Sequence, residues 1–144
     1  MSILFGLTIL NSGVPLSMLC AVIGLVFAFF LIGGIAHFAY VAAEISIIPP
    51  YVPYPRVVNA FVGVCELLGA AGLLLPFSRR AAGVGLILLA IAVTPANVFM
   101  LQHAERYPDV PVWLLVARLP AQLLLLMLIG WSSGVRSKRN AADR

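Results

Sequence analysis

Charged side chains are scarce in this chain. Nine Lys and Arg and five Asp and Glu make up 10% of its 144 residues, where a soluble domain carries about 25%. A chain of this length cannot hide a 62% hydrophobic content from water, so lipid is the expected solvent. Cysteine is scarce as well. Cys20 and Cys65 stand far apart in apolar runs, with no CxxC and no Cys/His cluster at metal spacing, so no metal site is expected and both read as buried apolar side chains. There is no basic patch interleaved with aromatics, which sets nucleic acid aside as a partner. The net charge of +4 sits at the ends of apolar segments, where it reports membrane topology. No Lys or Arg precedes the first hydrophobic run, which argues against a cleaved signal peptide. Repeats and low-complexity tracts are also missing.

What is present is a mean hydropathy of +1.09 and four long apolar runs. A membrane-crossing helix needs about 20 such residues. The runs cover 16–38, 57–75, 81–101 and 111–131, which predicts a single all-α membrane domain: a four-helix transmembrane bundle with short loops. Residues 132–144 read as a short basic tail, and the apolar stretch before Leu16 either lies along the interface or extends the first helix. Pro76 and Ser78 before Arg79 and Arg80 predict a tight hairpin. The stretch IIPPYVPYP at 47–55 cannot be regular helix, because proline fixes φ and lacks an amide donor. With Tyr51 and Tyr54 it predicts a stiff proline-rich lid at the membrane interface.

Lys and Arg in the loops assign the sides. One side holds Arg79, Arg80, Arg136, Lys138, Arg139 and Arg144, and the other holds only Arg56 and Arg106. The first is expected to be cytoplasmic. Four spans then place both termini in the cytoplasm and the protein in the inner (plasma) membrane.

Ionisable groups within a span are costly and usually face the bundle interior. Glu66 stands nine residues into the second run and Arg118 seven residues after Pro111, depths of about 14 Å and 10 Å at 1.5 Å per residue. Those depths match within the reach of an arginine, so a Glu66–Arg118 ion pair is expected. Gln122 shares the helix face of Arg118. Asn97 and His37 lie near the outer ends of the third and first runs. These five residues form the candidate ligand-binding or proton-carrying set, gathered in the outer half beneath the proline-rich loop. Each also has a structural reading: the ion pair as a clamp, Asn97 and Gln122 as interhelical glue, His37 as an interfacial anchor. His37 and His103 as paired haem ligands is much the weaker idea. Pro95 and Pro120 free the carbonyls of Ile91 and Val116, which must then be satisfied by neighbours, water or a ligand.

Six motifs, GIAHF at 34–38, PPYVP at 49–53, GVCE at 63–66, GLLLPFSRRAA at 72–82, TPANVFM at 94–100 and ARLPAQ at 117–122, occur in order across nearly the whole chain. Together they resemble the DoxX-like family of small membrane proteins. Thr94 departs from the phenylalanine common at that position. The resemblance implies a four-helix membrane bundle and carries over His37, Glu66, Asn97, Arg118 and Gln122 as motif positions. The family's name comes from a relative in a thiosulfate–quinone oxidoreductase, which points toward the quinone pool. No thiol pair, haem ligand set or nucleotide motif accompanies the resemblance here. Any electron carrier would be a quinone or a membrane-embedded redox partner subunit, and no other cofactor is expected. Three functions therefore compete: an accessory or redox-linked protein binding a quinone-like or lipid-like molecule in the outer leaflet, a purely structural subunit, and a small transporter. The last would need a polar path through the inner half, which spans two and three lack.

Overall fold

A computed structural model describes residues 15–134. The segment before residue 15 and the basic residues Arg136, Lys138, Arg139 and Arg144 lie outside the described residues. The described chain is all-helical: α1 (Leu16–Ala39), a short α2 (Val41–Ser46), α3 (Pro55–Leu74), α4 (Arg79–Ala92), α5 (Thr94–Gln102) and α6 (Val112–Ser132), with one 3-10 turn at Ala104–Arg106. α4 and α5 run on as a single span, so four helical spans are long and apolar enough to cross a membrane. Lipid offers no partner for a peptide group, and a helix satisfies its own.

α1 and α3 meet with glycine against glycine. A methyl group added at Gly34 of α1 would stand 2.8 Å from the Leu67 side chain and 3.2 Å from the Gly63 carbonyl oxygen of α3. One added at Gly63 would stand 2.8 Å from His37 Cβ. Bare backbone on both helices is what lets α1 and α3 approach this closely, the usual device where lipid removes the hydrophobic drive between helices. α4 packs on α3 in the same way, with Leu86 lying directly over Gly69. The buried core, Val26, Phe30, Ala70, Leu73, Leu86 and Ile129, draws on all four spans.

The hairpin between α3 and α4 is closed by its polar residues. Ser78 Oγ donates to the Gly72 carbonyl at 3.0 Å, and Arg79 Nε donates to the Leu73 carbonyl at 2.8 Å. These are carbonyls that the end of α3 would otherwise leave unpaired. Arg79 and Arg80 thus sit inside the first turn of α4 rather than before it. At the other terminus, Ser132, Ser133 and Gly134 are buried. The two serine hydroxyls donate to carbonyls of Leu128 and Ile129, so residues 132–134 close α6 and are not the start of a tail.

The proline-rich stretch is non-helical from Ile47 to Tyr54, with a turn in which Val52 donates to the Pro49 carbonyl at 3.0 Å. Tyr54 takes the left-handed conformation (φ 51°) immediately before Pro55 opens α3. Pro49 is buried, whereas Tyr51 and Tyr54 are exposed. Tyr107 donates its hydroxyl to the Ser46 carbonyl at 2.7 Å, tying the two loops at this end of the bundle together.

Candidate functional site

Four side chains meet where α1, α2 and α3 converge below the proline-rich loop. Asn59, on the first two turns of α3, is only 3% exposed. Its Nδ2 donates to the backbone carbonyl of His37 at 2.8 Å, and its Oδ1 stands 2.7 Å from His37 Nδ1. The first bond fixes the amide's orientation, because a flipped amide would set two oxygens against each other. Oδ1 is then the acceptor, so Nδ1 of His37 carries the hydrogen. In the neutral ring Nε2 is left with its lone pair, and it faces Glu66 Oε2 at 3.8 Å. Glu44 of α2 approaches Nδ1, also at 3.8 Å. Glu66 Oε2 is buried and has no hydrogen-bond partner among the described residues. It lies against Gly33, where an added methyl group would stand 2.6 Å from that oxygen. A buried polar atom left unpaired is uncommon and calls for a reason.

A second polar cluster sits across the bundle, where α4 gives way to α5 at Val93. The Ala90 carbonyl is released by this break and accepts from the Thr94 hydroxyl at 3.1 Å and from the Gln122 amide of α6. Gln122 Nε2 also reaches Thr94 Oγ1 at 2.7 Å, and Asn97 Nδ2 donates to Gln122 Oε1 at 2.9 Å. Side chains thus repair a proline-weakened helix. The carbonyl they satisfy is that of Ala90, one residue earlier than expected from Pro95, because the break falls at Val93.

Four of the five candidates therefore fall into two clusters, His37 with Glu66 and Asn97 with Gln122, and Arg118 joins neither. The expected Glu66–Arg118 ion pair does not form. Arg118 is exposed, and its Nη1 contacts the Met100 sulfur at 3.2 Å. Among the described residues the charged contacts of Glu66 and Glu44 are both to His37. The reason lies in the packing: α3 is flanked by α1 and α4, whereas α6 packs on α4, α1 and α5. Equal depth on two helices does not make them neighbours. His103 bonds the Phe99 carbonyl of its own helix at 3.0 Å and stacks on the Phe99 ring.

Sequence reasoning passed over Asn59, Glu44 and Thr94. Asn59 carried a usable signal, since Asn59, Gly63, Glu66 and Ala70 recur at helical spacing and mark the stripe of α3 that faces α1. Thr94, noted only as a motif departure, is a hydrogen-bonding member of the second cluster.

A family model described as a domain of unknown function (DUF8561) matches residues 26–136. No curated protein matches the chain, and no solved structure does.

Proposed function

Because the chain belongs to the DUF8561 family, described only as of unknown function, we propose from its geometry that it binds a quinone-like or lipid-like molecule beside Glu66 in the outer half of the membrane. The observation that carries this reading is the Glu66 carboxyl. It has one oxygen without a hydrogen-bond partner among the described residues, faces the open nitrogen of His37, and keeps 13% of the side chain exposed. A carboxyl in hydrocarbon surroundings is expensive unless something pairs with it. A quinone carbonyl or a quinol or lipid hydroxyl is the simplest apolar-bodied group that could. His37 and Glu66 would exchange the proton, and the motifs resembling the DoxX-like family favour a quinone. Asn97 and Gln122 serve the α4–α5 break instead, so they are not part of the proposed contact. The chain extracted in mild detergent should carry a reproducible small amphipathic molecule by mass spectrometry, and Glu66→Gln should lose most of it. Equal retention by the variant rejects the site.

One observation favours a structural role alongside this. Arg118 is a guanidinium on an exposed face of α6, within a membrane span, whose polar contact among the described residues is the Met100 thioether. A carboxylate from a membrane partner subunit, or a lipid phosphate, would neutralise it.

The orientation proposed for the chain follows the loop charges: Arg79, Arg80 and the C-terminal basic residues in the cytoplasm, the proline-rich loop outside. A cysteine placed at Val52 should react with a membrane-impermeant reagent in intact cells. Labelling only after lysis reverses the assignment.

A further inference from the structure

Glu44, His37 and Glu66 form a row through the two nitrogens of one imidazole, with 3.8 Å at each step. Side-chain exposure falls along it, from 26% at Glu44 to 16% at His37 and 13% at Glu66. We propose that this row is a proton path linking the proline-loop face of the protein to the carboxyl at Glu66, with Asn59 as the positioning residue that presets the ring. It rests on the ligand reading only for the proton's destination, since the path itself is made of the protein's own side chains.

The argument starts from Asn59. With its amide oriented by the His37 carbonyl, its oxygen holds the hydrogen on Nδ1. That leaves Nε2 free to take a proton from Glu66. Transfer there forms an imidazolium and a Glu66 carboxylate. The imidazolium then releases its Nδ1 proton to the Glu44 carboxylate, leaving the neutral ring protonated on Nε2. One proton has moved from Glu66 to Glu44, with no electrons exchanged, and the reverse sequence brings one in. In that reverse sequence Nδ1 takes a proton from Glu44 and Nε2 returns one to the Glu66 carboxylate, restoring the Nδ1–H ring that the hydrogen bond to Asn59 favours. Each 3.8 Å gap closes to hydrogen-bond length with a movement of about 1 Å. Loose geometry of this kind is usual at proton-transfer sites without their substrate.

The groups facing His37 are few. α2 contributes Glu44, and α3 contributes Asn59 and Glu66. The cationic group of α6, Arg118, is turned to Met100. Gly33 completes the seat, since any side chain there would collide with Glu66 Oε2. A structural pin would need Asn59 and His37 alone. It would not need a carboxylate at each ring nitrogen, one near the surface and the other buried and without a hydrogen-bond partner among the described residues.

The chain has two histidines, so nitrogen-15 histidine labelling with a His103→Gln background isolates the His37 ring in lipid nanodiscs. The neutral ring should be protonated at Nδ1, and Asn59→Ala should abolish that preference. Glu44→Gln, a mild change at the rim, should slow exchange of the ring protons with added D2O by about a hundredfold, the scale of losing one acid–base group. A ring protonated at Nε2 in the wild type, or exchange unchanged by Glu44→Gln in a variant of wild-type stability, overturns the path. Because these measurements use protein stripped of bound molecules, they hold even if no ligand is found, and a ligand found beside an inert ring would leave the binding proposal standing alone.

Discussion

Replacing Gly63 by leucine is expected to be among the most damaging single changes in the bundle. α1 and α3 meet where neither has a side chain to spare. A methyl group at Gly63 would already stand 2.8 Å from His37 Cβ and from a ring carbon of Phe38. Backbone-proximal atoms cannot give way as the far end of a long side chain can, so the helices must separate. Overpacking typically costs about 1–3 kcal/mol. Here the separation would also stretch both bonds between Asn59 and His37, so a loss at or above the top of that range is expected for leucine and about 2 kcal/mol for alanine. Gly24 and Gly85 provide the control. Among the described residues no atom beyond the adjoining backbone of the same helix lies within 4 Å of a methyl group added at either, so Gly24→Ala and Gly85→Ala should be neutral or stabilise by up to about 1 kcal/mol, the helix preference for alanine. Unfolding of each variant in detergent or bicelles checks the contrast. Similar losses at Gly63 and Gly24 would show that the close contact of α1 with α3 is not what the glycine serves.

Asn59→Leu is the second large effect. The substitution keeps the volume but strands the Nδ1 hydrogen of His37 and deprives the His37 carbonyl of a donor. A buried group left unpaired costs about 1–3 kcal/mol. In membranes, measured polar pairs fall near the low end because the dissociated helices also find partners. A combined loss of about 2 kcal/mol follows from two such bonds. The matching cycle uses His37→Phe. With both residues replaced no partner is stranded on either side, so the double variant should be less destabilised than the sum of the singles by about 1 kcal/mol, the range found for residues in contact. Additivity within about 0.5 kcal/mol would mean that the two side chains do not interact. A cycle of Glu66 with Arg118, which share no contact, supplies the additive reference.

The spans were legible in the sequence because lipid imposes a strict requirement. Every peptide group within it must be bonded internally, so each crossing has to be a long uninterrupted apolar run, and such runs can be read without knowing what lies beside them. The same holds for punctuation. Proline at 49, 50, 53 and 55 forbids helix for reasons local to the backbone, and the chain is non-helical from Ile47 to Tyr54.

The site was legible only in part. His37 and Glu66 were both singled out, and they come together as partners of each other. Arg118 was assigned to Glu66 on the strength of depth. Asn59 was missed because an amide one turn inside a span, next to a loop, looks like ordinary interfacial polarity until its neighbour is known. Sequence fixes the position of a residue along its own helix to within a turn, which is one coordinate. The other two, rotation about the axis and the identity of the facing helix, come from packing. Here they were decided by Gly34 against Gly63 and Leu86 against Gly69, which set α3 between α1 and α4, while α6 packs on α1, α4 and α5. The amino-acid sequence alone therefore determined that this protein crosses the membrane as helices, and where along each helix its polar groups lie. Only the tertiary structure decided that Glu66 faces a histidine and not an arginine, because close approach of two helix backbones depends on paired small residues, and pairing is a property of the folded bundle.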